Sequence, residues 1–159
     1  MRQRSRSSTL ADVSNHRALL PDGFFHVYAR GVPEQPIYVD DDDRRVFLGL
    51  LEKATARHRV VVHALCLMTT HYHALVEARC VELSRCLQRL HGGYAVGFNR
   101  RHGRFGHLFA ERFASRVVTD ETQLRDVCAY VLLNPVQAGL CNRIEEWPWS
   151  YCRYGFDAI

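Results

Sequence analysis

Two histidines separated by a single residue are the strongest chemical signal in this sequence. His71 and His73 flank Tyr72 at the start of a segment rich in apolar and β-branched residues, which is typical of a β-strand. Because successive side chains of a strand point to opposite faces, the two imidazoles share one face and lie close enough to bind one metal ion. A His-x-His pair also occurs on ordinary solvent-facing strands, so residues elsewhere in the chain must decide whether this pair binds metal.

Tyr130 and Asn134 form a second pair, four positions apart near the end of a segment with helical periodicity. Residues at this spacing lie one above the other on a helix face. An asparagine oxygen and two histidine nitrogens fill half of an octahedral shell, which leaves room for phosphate oxygens and suits Mg²⁺ or Mn²⁺. A phenol, with a pKa of about 10, needs such an ion or a base to attack a phosphate at neutral pH. In the alternative interpretation, Tyr130 is an aromatic residue at the core edge and Asn134 ends the helix.

Composition and charge limit the class of protein. The chain has 159 residues, of which 47% are hydrophobic, and this is enough for one compact domain. Its formal net charge is +4, and Lys53 is its only lysine. Arginine suits phosphate because its planar guanidinium can hold two oxygens at once, although a coding bias that replaces lysine by arginine gives the same composition. The composition therefore permits a nucleic-acid partner without requiring one.

Neither a membrane segment nor an exported, disulfide-linked protein is predicted. No apolar stretch approaches the roughly 20 residues that a membrane span needs, and the basic N-terminus leads into no apolar signal core. The six cysteines are scattered without C-x-x-C spacing, which argues against zinc or a disulfide framework. We therefore expect a cytoplasmic protein with reduced cysteines and no membrane partner.

The predicted elements alternate in the order strand, helix, two strands, helix, strand, helix. We expect strands at 24–30, 59–68, 71–77 and 113–118, and helices after the acidic run at 40–43, over 81–99 and over 121–133. This order predicts an α+β fold, a ferredoxin-like sandwich whose antiparallel sheet has its helices packed on one face. Residues 1–20 are predicted to be a flexible basic arm, and residues 21–159 a single domain. The acidic run is interpreted as a helix cap, and Asn134-Pro135 is expected to end the last helix.

Residues 99–113 mix arginines with aromatic side chains. This composition fits single-stranded nucleic acid, where cations follow the backbone and rings stack on bases, although a solvated loop has a similar composition. The residues predicted to contact DNA are Arg85, Arg89, Arg100, Arg101, Arg104, Arg112 and Arg116.

Together these segments resemble a known family, the REP-associated tyrosine transposases, within the single-tyrosine HUH transposases that act on single-stranded DNA. The resemblance covers about residues 24–154. The motifs that carry it are Phe25-His26-Val27 with Arg30-Gly31, the segment 68–73, Gly106-His107-Leu108-Phe109 with Arg112-Phe113, Tyr130 with Asn134-Pro135-Val136 and Ala138-Gly139-Leu140, and Trp149-Ser150.

The resemblance implies a role for each residue of the two pairs. His71, His73 and Asn134 match the family's metal ligands, and Tyr130 matches its nucleophile. In the family, the tyrosine attacks a DNA phosphodiester to give a 5′-phosphotyrosine and a free 3′-hydroxyl, and no nucleotide cofactor is needed for rejoining. The resemblance therefore implies that residues 21–159 are an HUH transposase-like catalytic domain, an endonuclease and strand transferase in DNA transposition and recombination. The implied cofactor is Mg²⁺ or Mn²⁺, and the implied partner is single-stranded or hairpin DNA from REP elements, bound by a monomer or a homodimer.

One departure from the family pattern favours a second hypothesis, and a third hypothesis uses the same histidines. Thr69-Thr70 stand where the family usually has Pro-Asn, directly before the first histidine. This favours, as the main alternative, a module that binds hairpin DNA but has lost cleavage. A metal-dependent phosphoesterase that uses water as nucleophile is the third hypothesis, and it predicts turnover without a covalent intermediate.

Overall fold

Five antiparallel strands and three α-helices make up the computed structural model, which describes residues 22–33 and 35–156. The elements in chain order are β1 (Gly23–Arg30), α1 (Asp41–His58), β2 (Val61–Leu67), β3 (His71–Ala78), α2 (Cys80–His102), β4 (Ala114–Val118), α3 (Glu121–Gln137), a 3-10 turn (Ile144–Glu146) and β5 (Ser150–Cys152). The predicted order of strands and helices is confirmed, and β5 is a strand that was not predicted. The predicted arm, residues 1–20, lies outside the described residues.

The strands follow the order β4-β1-β3-β2-β5 in one sheet, and each is antiparallel to its neighbours. The first four have the strand order expected of the ferredoxin-like fold. In β1, the buried Phe25, Val27 and Ala29 belong to the core beneath α1 and α2. The alternating positions His26 and Tyr28 point to the other face. The α+β class and the antiparallel sheet are confirmed.

The expectation that all helices share one face holds for α1 and α2 but not for α3. Val131 and Leu132 of α3 pack with Ala64, Cys66 and Leu75 in a second apolar cluster, on the face opposite α1 and α2. The physical reason lies in β2, whose last residues are buried without the alternation of a half-exposed strand. A strand that is apolar on both faces needs a cover on each side.

The acidic run before α1 caps that helix as expected. Asp40 is the N-cap residue, and its side chain accepts a hydrogen bond of 3.0 Å from the amide of Asp43. Asp43 is itself buried and accepts from the amide of Val39 at 2.8 Å and from His102 at the end of α2. The run therefore satisfies the free amides of one helix start and ties α1 to α2.

The predicted end of α3 before Pro135 is wrong, because the helix continues to Gln137. A proline inside a helix removes one hydrogen bond and crowds the carbonyl four residues earlier, and Pro135 is buried, so its packing offsets this cost. The helix ends at Gln137 with Ala138 as its C-cap, and the chain turns away at Gly139, whose φ of 70° is the left-handed conformation that glycine adopts readily. Tyr130 and Asn134 thus lie within continuous helix, one turn apart on one face. None of the helices in the described part of the chain has the length and hydropathy of a membrane span.

Candidate active site

A cavity of about 620 Å³ lies between the sheet and α3. It is lined by His26, Tyr28, Arg30, His71, His73, Arg116, Asp126, Val127, Tyr130 and Asn134. The four residues to which the sequence assigned chemistry, the two histidines of β3 and the tyrosine and asparagine of α3, are all among them. The fold therefore brings together two pairs that lie far apart in the sequence.

The sheet register places the histidine pair beside β1. His71 lies opposite Arg30 and His73 opposite Tyr28 across the β1–β3 ladder. The turn before His71 is held by backbone hydrogen bonds, from Gly31 to the Thr70 carbonyl at 2.8 Å and from Ile37 to the carbonyl of residue 69 at 3.0 Å. These bonds fix the start of β3, and so the position of the first imidazole.

The threonine that departs from the family pattern contacts the first histidine directly. Thr70 Oγ1 lies 3.1 Å from Nδ1 of His71. A hydrogen bond to one ring nitrogen restricts the orientation of the imidazole ring. Thr70 therefore orients His71.

The Tyr130 side chain of α3 packs over the buried imidazoles of His73 and His26. Its ring stands edge-on to those of His73 and His26, with centroids 5.3 and 5.6 Å away. Its side chain is 44% exposed, so the phenol is accessible from solvent. Asn134 lies near His71, whose protonated form its side chain favours, and its Nδ2 donates to the Tyr130 carbonyl at 2.8 Å. One helix turn thus presents a phenol and a carboxamide to the histidine pair.

Burial keeps the histidines of the pocket neutral. Burial, together with electrostatic repulsion from His26, His71 and Arg30, lowers the pKa of His73 to about 3. It lowers the pKa of His26 to about 4, helped by the charge of Arg116. The pKa of His71 is also lowered, first by burial and then by Arg30. A neutral imidazole is the form that can bind a metal ion, whereas a protonated one cannot.

His26 is a pocket residue that was not predicted from the sequence. Its Nε2 lies 3.0 Å from Nδ1 of His73, and the two rings lie edge to edge with centroids 5.2 Å apart. The signal that could have found it is a polar residue between Phe25 and Val27, at the alternating position of a buried strand. Tyr28, Arg30 and Asp126 are the other polar residues of the pocket that were not predicted.

The family model described as "Transposase IS200 like" matches residues 26–134, more than half of the chain. This chain belongs to the IS200-like transposase family. The matched segment runs from His26 to Asn134, so it begins and ends at residues of the pocket. No curated protein matches the sequence of this transposase.

The fold of this IS200-like transposase is shared with a solved structure described as that of a REP-associated tyrosine transposase bound to a REP hairpin. The two superpose with a TM-score of 0.65 over 82% of this chain and 77% of the other. Their sequence identity is 13%, so the likeness concerns the fold.

The sheet divides the seven arginines predicted to contact DNA into two sets. One of them, Arg116 of β4, lines the pocket of the transposase. The others lie on α2 or between α2 and β4, away from the pocket; they are Arg85, Arg89, Arg100, Arg101, Arg104 and Arg112. Arg101 donates to both carboxylate oxygens of Asp40, at 2.7 and 2.8 Å, so its charge is paired within the protein. DNA contact by these seven residues stays a prediction.

The donor set of the pocket fits a small divalent cation. Among the described residues, no three His, Cys, Asp or Glu side chains form a metal-binding group. The predicted set is of a different kind, since it combines two imidazoles, His71 and His73, with the carboxamide of Asn134. The carboxamide oxygen, together with phosphate and water oxygens, is the kind of ligand that Mg²⁺ and Mn²⁺ prefer, and imidazole nitrogen is a ligand of divalent transition metals.

Proposed function

We propose that this transposase is a metal-dependent, single-stranded DNA endonuclease and strand transferase that acts on repeat hairpins. The observation that carries the proposal is the convergence of Tyr130 with His71, His73 and Asn134 in one open pocket. An accessible phenol beside neutral metal ligands is the arrangement that a tyrosine nucleophile needs.

The proposed reaction exchanges one phosphodiester for another. The Tyr130 oxygen forms a bond to the scissile phosphorus, and the bond from phosphorus to the 3′ oxygen breaks. The 3′ oxygen leaves with the electron pair of that bond and gains a proton, while the phenol loses one. The products are a 5′-phosphotyrosine and a free 3′-hydroxyl. Because the number of phosphoester bonds is unchanged, a second exchange can rejoin DNA without a nucleotide cofactor.

His71, His73 and Asn134 would hold the divalent cation. When bound, Mg²⁺ or Mn²⁺ supplies charge neutralisation and orientation for the scissile phosphate. Arg30 and Arg116 add permanent positive charge to the same pocket, and a guanidinium binds phosphate oxygens in pairs. The side chains of the pocket therefore favour an anionic phosphodiester near the phenol.

Hairpin DNA is proposed as the substrate on two grounds. The family comprises transposases, and the solved structure with the same fold is described as bound to a REP hairpin. In this chain, the basic residues are arginines with one exception, Lys53, which suits phosphate recognition.

A covalent-adduct assay tests the proposal. Purified protein is incubated with labelled single-stranded repeat-hairpin DNA and Mn²⁺, and the products are separated on a denaturing gel. We expect a protein–DNA adduct with the unmodified chain, and none with Tyr130→Phe or after addition of a chelator. Tyr151→Phe is the matched control, because Tyr151 is similarly exposed but lies on β5, and it should leave the adduct intact. An adduct that persists in Tyr130→Phe would reject the proposed nucleophile.

Hairpin binding without cleavage is the second candidate function, favoured by the Thr69-Thr70 departure before His71. The same gel separates the candidates. Bound but uncut hairpin at saturating Mn²⁺ would support the binding module, and turnover without any adduct would support a water nucleophile.

A further inference from the structure

His26 and His73 form a buried imidazole pair across the β1–β3 ladder. In the register, His26 lies opposite Leu75 and His73 opposite Tyr28, so the two histidines are diagonal neighbours on the face that α3 covers. Their ring planes are inclined by only 24° with centroids 5.2 Å apart, so the rings meet edge to edge, and a hydrogen bond of 3.0 Å joins Nε2 of His26 to Nδ1 of His73. The side chain of His26 thus contacts a proposed metal ligand directly.

The direction of the hydrogen bond between His26 and His73 decides whether His73 can bind a metal. A neutral imidazole carries one N–H and one lone pair, so a single proton lies between the two joined nitrogens. If that proton is on Nδ1 of His73, then Nε2 of His73 carries a lone pair and can bind a metal. If the proton is on Nε2 of His26, then His73 carries its own proton on Nε2 and cannot bind through that atom.

We propose that His26 is a positioning residue, which accepts a hydrogen bond from Nδ1–H of His73 and thereby keeps the Nε2 lone pair of His73 available to a divalent cation. This inference rests on the proposed function of the pocket, since it concerns one of the metal ligands. It assigns His26 a role through His73 and not a contact with the reacting phosphate.

The surroundings of His26 hold it in place for this role. β1 is hydrogen-bonded to β3 on one side and to β4 on the other, and the neighbours Phe25 and Val27 are fully buried. The Tyr130 ring packs against it from α3, nearly perpendicular to the imidazole. A hydrogen bond to the second ring nitrogen is the usual means by which a protein sets the tautomer of a metal-binding histidine, and His26 is fixed on an interior strand where it can supply that bond.

The tautomer can be measured on the metal-free protein. Long-range ¹H–¹⁵N correlation spectra distinguish a histidine protonated on Nδ1 from one protonated on Nε2. We expect His73 to carry its proton on Nδ1 in the unmodified chain and to populate the Nε2–H form in His26→Phe, which has a ring but no acceptor. A proton on Nε2 of His73 in the unmodified chain would overturn the inference.

Metal affinity gives a second measurement that does not depend on DNA cleavage. Mn²⁺ titrations followed by the electron paramagnetic resonance signal of the free ion compare the unmodified chain with two variants. We expect His26→Phe to weaken Mn²⁺ binding by about 10- to 100-fold, the usual effect of removing a partner of a metal-binding histidine. We expect His26→Gln, whose carboxamide oxygen can accept from Nδ1–H, to recover most of that loss. Equal affinities for His26→Phe and the unmodified chain, or no recovery in His26→Gln, would contradict the role.

The matched control is His63→Phe. His63 is a buried histidine on β2 that bonds Tyr154 and Glu77 outside the pocket, at 2.6 and 3.0 Å. Circular dichroism first establishes that each variant folds, and the control should keep the Mn²⁺ affinity of the unmodified chain. If the unmodified chain binds no Mn²⁺, the proposed metal dependence fails. The tautomer spectrum still decides the role of His26 in that case, because it is recorded without metal.

Discussion

His91 makes the stability of this transposase depend on pH in a way that one substitution can isolate. Tyr72, which lies between the two proposed metal ligands, points to the opposite face of the sheet, where its hydroxyl is 2.8 Å from Nε2 of His91. The His91 ring also stacks on Phe109, with centroids 4.2 Å apart. Burial at this site lowers the pKa of His91 from 6.5 to about 4.

The size of the effect follows from linkage between proton binding and folding. The unfolded chain protonates this imidazole below its ordinary pKa of 6.5, whereas the folded chain does so only below about 4. The contribution of His91 to stability is therefore complete above pH 6.5 and is lost as the pH falls toward 4. Each pH unit in this window costs about 1.4 kcal/mol, so the loss at pH 5 is about 2 kcal/mol.

Urea denaturation at pH 7 and pH 5, followed by circular dichroism, measures this loss. We expect the unmodified chain to lose about 2 kcal/mol more unfolding free energy between the two pH values than His91→Gln does. His26 and His73 titrate in both proteins, so their contribution cancels in the comparison. The exposed His107→Gln is the control and should behave like the unmodified chain. Equal losses in the unmodified chain and His91→Gln would refute the reasoning.

Two further predictions concern the segments that position the site. Asp43→Asn should lower the unfolding free energy by about 2–3 kcal/mol, because this buried carboxylate accepts hydrogen bonds from the Val39 amide and from His102 at the end of α2. Urea denaturation measures this loss, and an unchanged midpoint would contradict the role of Asp43 in joining α1 to α2. Gly31→Ala should destabilise the chain by about 1–3 kcal/mol, because a Cβ there would lie 2.7 Å from the Gln35 carbonyl oxygen. It should also weaken Mn²⁺ binding, because Gly31 bonds the turn that positions His71 at the start of β3. Gly49→Ala is the control, since nothing lies within 4 Å of its added Cβ, and it should stabilise α1 by up to about 1 kcal/mol in thermal unfolding. A destabilised Gly49→Ala, or a Gly31→Ala protein as stable as the unmodified chain, would contradict this account.

Several parts of the fold were predictable because their signals are local. The alternation in β1, the acidic cap before α1 and the apolar stripe of α2 each lie within one element, where period and capping chemistry decide the conformation. The end of α3 was predicted wrongly, because the burial of Pro135 against the rest of the protein overrides the local preference against helix before proline. The position of α3 on the second face was also missed, since it depends on the two-sided burial of β2 within the sheet.

The sequence by itself determined which side chains form the two functional pairs and that each pair shares one face of its element. A spacing of two places His71 and His73 on one face of a strand, and a spacing of four places Tyr130 and Asn134 on one face of a helix, whatever surrounds them. Only the tertiary structure decided that these faces meet and that His26 joins them. That decision depends on the β1–β3 register and on the packing of α3 over the sheet, which are contacts between residues distant in the sequence.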